Sequence, residues 1–293
     1  LISVNINTSG LVDVLKSTDS GANWSNVVTS VTQATAIRGG VLYINPDVGD
    51  NDPFFTTEQG MWVVDQSAGT SRQVLSFTGF EGDNAGRRPV VWPGDGALYI
   101  PTVNGGLLRY EVAGAGSSGR ANIGISNIGL DRFDIPNARG GDIVSLWPTL
   151  RYLYAFVGGD TAARYASVWA WDGTSWHSVW KHGTANRDAQ YIIVTSVDDA
   201  TSRLHTFTGD AIGSASNFDP QFMQYPEDNP LTTANTLKYE AAGYIETPHF
   251  DGGLAAHDAA WLGVRLELEE GNSGNETIDI HYEEDHSGDY SAS

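Results

Sequence analysis

No stretch of the chain restricts its fold more than residues 168–180, VWAWDGTSWHSVW. Aromatic and small residues alternate on both sides of Asp172-Gly173-Thr174-Ser175. Period-two alternation flanking a turn of Asp and Gly is a β-hairpin pattern, because successive side chains of a strand point to opposite faces. Looser versions of the same unit recur along the chain.

Four segments carry a strand, a tight turn and a second strand with Leu followed by an aromatic or imidazole ring. Their leucines are Leu42, Leu98, Leu153 and Leu204, spaced by 56, 55 and 51 residues. The first three are each followed by a second hairpin, around residues 61–75, 107–125 and 167–180. Each repeat then holds four antiparallel strands, which is the content of a β-propeller blade. The expected fold is all-β: a propeller of four-stranded antiparallel blades over residues 1–210. Four blades are expected, five if Ile2 to Ile6 opens one of its own, and more if further sequence precedes Leu1. A stack of β-meanders or a β-sandwich is the competing arrangement. Residues 211–238, with Pro220, Pro226 and Pro230, read as a linker or surface wrap. Residues 239–293 read as the start of a β-sandwich, with Leu262, Val264, Leu266 and Leu268 on one strand face. The chain opens at Leu1 and closes at Ser293 in what reads as mid-strand, so it is expected to be a piece of a longer polypeptide.

Charge narrows the partners. Asp and Glu number 36 against 16 Lys and Arg, a net charge of −20. Such a surface repels phosphate backbones, and no nucleic-acid partner is expected. Lys16, Lys181 and Lys238 are the only lysines; many acids with few lysines resembles proteins of salt-loving organisms, and a solvated acidic surface is the plainer explanation. With no Cys, disulfides and thiol chemistry are excluded. No apolar run approaches membrane-spanning length, so membrane insertion is not expected.

Residues 17–24 read Ser-Thr-Asp-Ser-Gly-Ala-Asn-Trp. Ser17, Asp19, Gly21 and Trp24 fit Ser-x-Asp-x-Gly-x-x-Trp, and here the chain resembles the Asp-box (BNR) repeat. The resemblance implies a hairpin between the third and fourth strands of a blade, a structural role without catalysis. Asp should accept hydrogen bonds from turn amides, Gly should take positive φ, and Trp should pack the turn onto the sheet. Residues 243–253, GYIETPHFDGG, and 278–285, IDIHYEED, resemble a segment of tailed-phage and prophage virion proteins. That resemblance implies a tail, baseplate or fibre component of an extracellular particle. Its partners would be copies of itself, other virion proteins, and a host-surface glycan or protein.

Catalytic constellations are sparse. Sialidases also carry Asp-boxes, but the Phe/Tyr-Arg-Ile-Pro segment of that family is missing; Arg87-Arg88-Pro89 and residues 132–136 come nearest without matching. Asp47, Asp50 and Asp52 form a dense run of oxygen ligands that would suit Ca²⁺, although a solvated acidic turn explains them too. The seven His show no metal spacing, and most Trp and Tyr fall at alternating strand positions that suit core packing. Asn7, Asn23 and Asn275 begin Asn-x-Ser/Thr sequons, a pattern too common to discriminate. The expectation is a non-enzymatic virion protein without a cofactor, its propeller axis plugged or shallow. The alternative is a secreted carbohydrate-binding or glycoside-hydrolysing propeller with a deep, acidic, aromatic-lined axial pocket. An adhesion module of a prokaryotic surface protein is a third reading.

Overall fold

The computed structural model describes residues 1–29, 31, 36–77, 86–102, 106–113, 122–130, 137–158, 163–195, 202–209, 218–224, 281–283 and 290–292. The chain divides into two compact units, Leu1–Lys238 and Tyr239–Ser293. Within the described residues the secondary structure is β apart from one 3-10 turn at Asn137–Arg139. No helix among them is long and apolar enough to cross a membrane.

The first unit holds five antiparallel sheets, each a meander of strands consecutive in sequence. The first contains β1 (Ile2–Ile6), β2 (Val12–Lys16) and β3 (Ser25–Val28). The second contains β4 (Ile37–Ile44), β5 (Asn51–Thr57), β6 (Gly60–Asp65) and β7 (Thr70–Ser76). The third contains β8 (Val90–Val91), β9 (Leu98–Pro101), β10 (Leu107–Ala113) and β11 (Asn122–Asn127). The fourth contains β12 (Ile143–Pro148), β13 (Leu153–Val157), β14 (Ser167–Trp171) and β15 (Trp176–Lys181). The fifth contains β16 (Ala189–Thr195), β17 (Arg203–Gly209) and β18 (Phe218–Gln224). In the second unit β19 (His281–Glu283) pairs with β20 (Tyr290–Ala292). The strands expected from residues 239–280 lie outside the described residues.

Successive sheets share apolar layers, and strand alternation explains how. In β13, Leu153, Ala155 and Val157 face the third sheet, packing with Trp92, Tyr99 and Leu107. Tyr154 and Phe156, the residues between them, face the fifth sheet with Ile192, Val194 and Leu204. In β5, Phe54 packs toward Leu98, Ile100 and Tyr110 of the third sheet, while its neighbour Phe55 packs with Val12 and Val14 of the first. A strand covered on both faces must be apolar throughout, which is why LYAFV and SVWAW contain no charged residue.

Irregularities recur at matching places. The pairing register shifts between Ile37 and Gly39, between Ile143 and Ser145, and between Ala189 and Tyr191, each time where a first strand meets a second. It shifts again between Met61 and Trp62 and between Val168 and Trp169, where a third strand meets a fourth. The shift between Val14 and Leu15 has the same character, so β1, β2 and β3 correspond to second, third and fourth strands. By the same measure β16, β17 and β18 are first, second and third. These β-bulges strengthen the local twist in equivalent positions of different sheets. The first strands are neighbours in space: β4 packs on β8, β8 on β12 and β12 on β16, and β1 lies beside β4.

Two expectations need correction. Leu42 lies on β4, a first strand, and is 58% exposed, whereas Leu98, Leu153 and Leu204 are buried on second strands. The true second strand of that sheet is β5, disguised by the acidic run before it and by Pro53. Pro53 is tolerated because it pairs with Leu42 on β4 and precedes the first β5–β6 partner, Phe54. The stretch 211–238 is also not wholly a linker: β18 pairs along its full length with β17, and Pro220 sits opposite Phe207 at the sheet edge.

Candidate functional site

The turn at Ser17 is built as its residue types dictate. Ser17 Oγ donates to Asp19 Oδ1 at 2.8 Å and accepts from the Gly21 amide at 2.8 Å. Asp19 Oδ1 accepts from the Asn23 amide at 2.9 Å, and Oδ2 accepts from Asn23 Nδ2 at 2.7 Å. These donors, the Asn23 amide foremost, hold the Asp19 carboxyl down at about 2. Gly21 takes φ +96°, a conformation that side-chain-bearing residues resist. The Trp24 ring lies beside the turn, 3.8 Å from where a Cβ on Gly21 would stand, and is 43% exposed next to β3, the outer strand of its sheet.

The same device recurs between other third and fourth strands. Asp65 Oδ1 accepts from the Ser67 and Ala68 amides. Asp172 Oδ1 accepts from the Thr174 and Ser175 amides, each at 2.8 Å. Both carboxyls are lowered, Asp65 chiefly by the Ala68 amide and Asp172 chiefly by its hydrogen bond with His177. Trp176 then anchors the fourth-sheet turn by donating Nε1 to the Ile128 carbonyl at 2.6 Å.

Asp172, Ser175 and His177 are the residue types of a hydrolytic triad, and their geometry is not that of one. His177 Nε2 is 2.9 Å from Asp172 Oδ2 and 3.1 Å from Ser175 Oγ. Both partners engage one nitrogen, so no relay from carboxylate through imidazole to hydroxyl is formed. The three brace a turn.

Asp47, Asp50 and Asp52 are not brought together on one cation. Asp47 pairs with Arg72 of β7. Asp52 is buried and accepts from Asn45 Nδ2 at 2.8 Å and from Gln66 at 3.3 Å. The Asp50 carbonyl accepts from the Asn45 amide at 2.7 Å. Among the described residues no group of three or more His, Asp or Glu is placed to hold a metal.

Among the described residues, a concave feature lies where first strands meet. A cleft of about 410 Å³ is lined by Gly39 and Gly40 of β4, by Arg88, Pro89 and Val90 at β8, by Leu146, Trp147 and Pro148 of β12, and by Tyr191 of β16. Four sheets thus contribute to one cleft. The Arg88 guanidinium lies over the Tyr191 ring, 4.3 Å from its centroid, and Nη1 donates to the Gln190 carbonyl at 3.5 Å. Trp147 meets Tyr191 edge to face, 86° between planes and 6.2 Å between centroids. Arg88 takes φ +51°, and its amide donates to the Arg38 carbonyl at 3.2 Å. A left-handed non-glycine residue costs about 1–3 kcal/mol and persists where its surroundings hold it. Among the described residues no acidic side chain lines the cleft.

Sequence reasoning missed this site. Arg88 drew notice only as a failed motif, and Trp147 and Tyr191 fell among core aromatics. The available signal was their shared position on first strands of different repeats. Neither a protein-family model nor a curated protein sequence matches the chain.

Proposed function

We propose that the five sheets are blades of a β-propeller and that the chain is a non-enzymatic structural component of a phage-like particle. In a parallel stack, sheets lie about 10 Å apart, so the third and fifth would be about 20 Å apart. Arg88, two residues before the third sheet's first strand, touches Tyr191 of the fifth. Sheets fanning from an axis, with first strands innermost, account for that contact. The recurring Asp turns between third and fourth strands support the same arrangement.

The non-enzymatic half rests on the cleft. A glycosidase needs two carboxyl groups flanking the bond it cleaves, and the lining here offers a guanidinium, two aromatic rings and glycine backbone. The particle half rests on residues 243–253 and 278–285 and their likeness to tail, baseplate or fibre proteins. On this reading the protein resides in an extracellular particle, contacts copies of itself and other virion proteins, and meets a host-surface glycan or protein. It works without a cofactor.

Antibody labelling of purified particles tests the location: discrete labelling of one part of the tail is expected. An isolated monomer that releases sugars from glycans would overturn both halves. The aromatic lining favours one rival, a secreted glycan-binding propeller, which predicts recovery of the protein free of particles.

A further inference from the structure

We infer that the cleft between β4, β8, β12 and β16 is a binding site for an acidic monosaccharide of the hexuronate type, with Arg88 taking the carboxylate and Trp147 the sugar face. Three observations converge on that chemistry. First, Arg88 is the cation of the lining, and among the described residues no carboxylate pairs with it; its recorded partners are the Tyr191 ring and the Gln190 carbonyl. With one N–H on the Gln190 carbonyl, the guanidinium over the ring keeps further N–H donors for a bidentate carboxylate. Second, the guanidinium covers the Tyr191 ring, and Trp147, packed in part against the layer shared with the fifth sheet, is the other aromatic of the lining that can meet the C–H face of a sugar. Third, β4, β8, β12 and β16 are each paired by their own sheet on one side only. Their other edges carry backbone N–H and C=O groups that suit the hydroxyls of a sugar ring. The cleft is shallow and open to solvent, and its volume of about 410 Å³ suits a single sugar ring held at the surface.

The net charge of −20 does not forbid an anion here. Charges beyond a Debye length, about 8 Å at physiological salt, are largely screened, and the lining itself has no acid. The binding needs only the intact chain and does not depend on its residing in a particle.

The test is titration of the full chain with methyl β-glucuronide and methyl β-glucoside, which differ by the carboxylate, followed by tryptophan fluorescence and calorimetry. Saturable binding of the glucuronide, at least about tenfold tighter than the glucoside, is expected. Arg88→Gln should abolish that preference, Arg88→Lys should restore part of it, and Trp147→Leu should weaken both sugars. Trp24→Leu, outside the cleft, should change neither affinity. Absence of saturable glucuronide binding, or equal binding of the two sugars by the unmodified chain, overturns the proposal, and neither result needs a variant to fold. Equally tight binding of N-acetylglycine would show a site for carboxylates at large and overturn the saccharide assignment.

Discussion

Arg88, two residues before β8 of the third sheet, and Tyr191 of the fifth meet across the cleft, the guanidinium carbon lying over the ring 4.3 Å from its centroid, with no residue of the fourth sheet between them. The contact joins two sheets that are not consecutive in the chain, and Arg88 makes it from a left-handed backbone conformation.

Arg88→Ala and Arg88→Gly separate side chain from strain. Both remove the cation–ring contact, worth about 0.5–2 kcal/mol. Glycine also relieves the φ of +51°, so the alanine variant should be the less stable of the two by about 1 kcal/mol. Urea denaturation of both variants measures the difference; equal stabilities would mean the backbone there is not strained.

Gly39 is a second constraint on the cleft. A Cβ added there would lie 2.5 Å from Pro89 Cδ and 2.9 Å from the Arg88 nitrogen. Neither neighbour is a flexible side-chain end, so Gly39→Ala must push β4 away from β8. A loss of about 1–3 kcal/mol is expected, with altered Trp147 fluorescence as the walls separate. Gly183→Ala, with open space around its Cβ, is the control and should be close to neutral.

The Asp turns carry a pH dependence. Asp19, Asp65 and Asp172 are all lowered below the usual value of about 3.9. Such groups stabilise the fold above the unfolded value and lose that contribution as pH falls through the folded one. For Asp19 the window runs from about 4 down to about 2. Melting temperature should therefore fall across it, and Asp19→Asn, at an exposed turn, should flatten a small part of the slope. An unchanged slope would show that the turn contributes nothing to global stability.

Leu42 and Phe54 give a paired test of the second sheet. Phe54 is 1% exposed and Leu42 58%. Phe54→Ala should cost about 3–5 kcal/mol, and Leu42→Ala less than about 0.5. Reversal of that order would restore Leu42 to the core and undo the reassignment of β5.

The third and fourth sheets were legible because both carry clear turns and uninterrupted apolar strands. The Asp turns were legible too, since side-chain hydrogen bonding within eight residues is a local matter. β5 and β18 were not, because Pro53 and Pro220 look like breaks to a reader who cannot see which strand edge they occupy. The cleft was least legible of all. Gly39, Arg88, Trp147 and Tyr191 are far apart in sequence, and alternation says which residues share a face without saying which strands of different sheets meet.

The two-sided burial of β13 has a consequence for rearrangement. Tyr154 and Phe156 point one way and Ala155 the other, so bulk is offered to one neighbour and room to the other. Each sheet therefore carries an address as well as a shape. Exchanging two sheets would set large residues against large and small against small, and the shuffled molecule should not assemble.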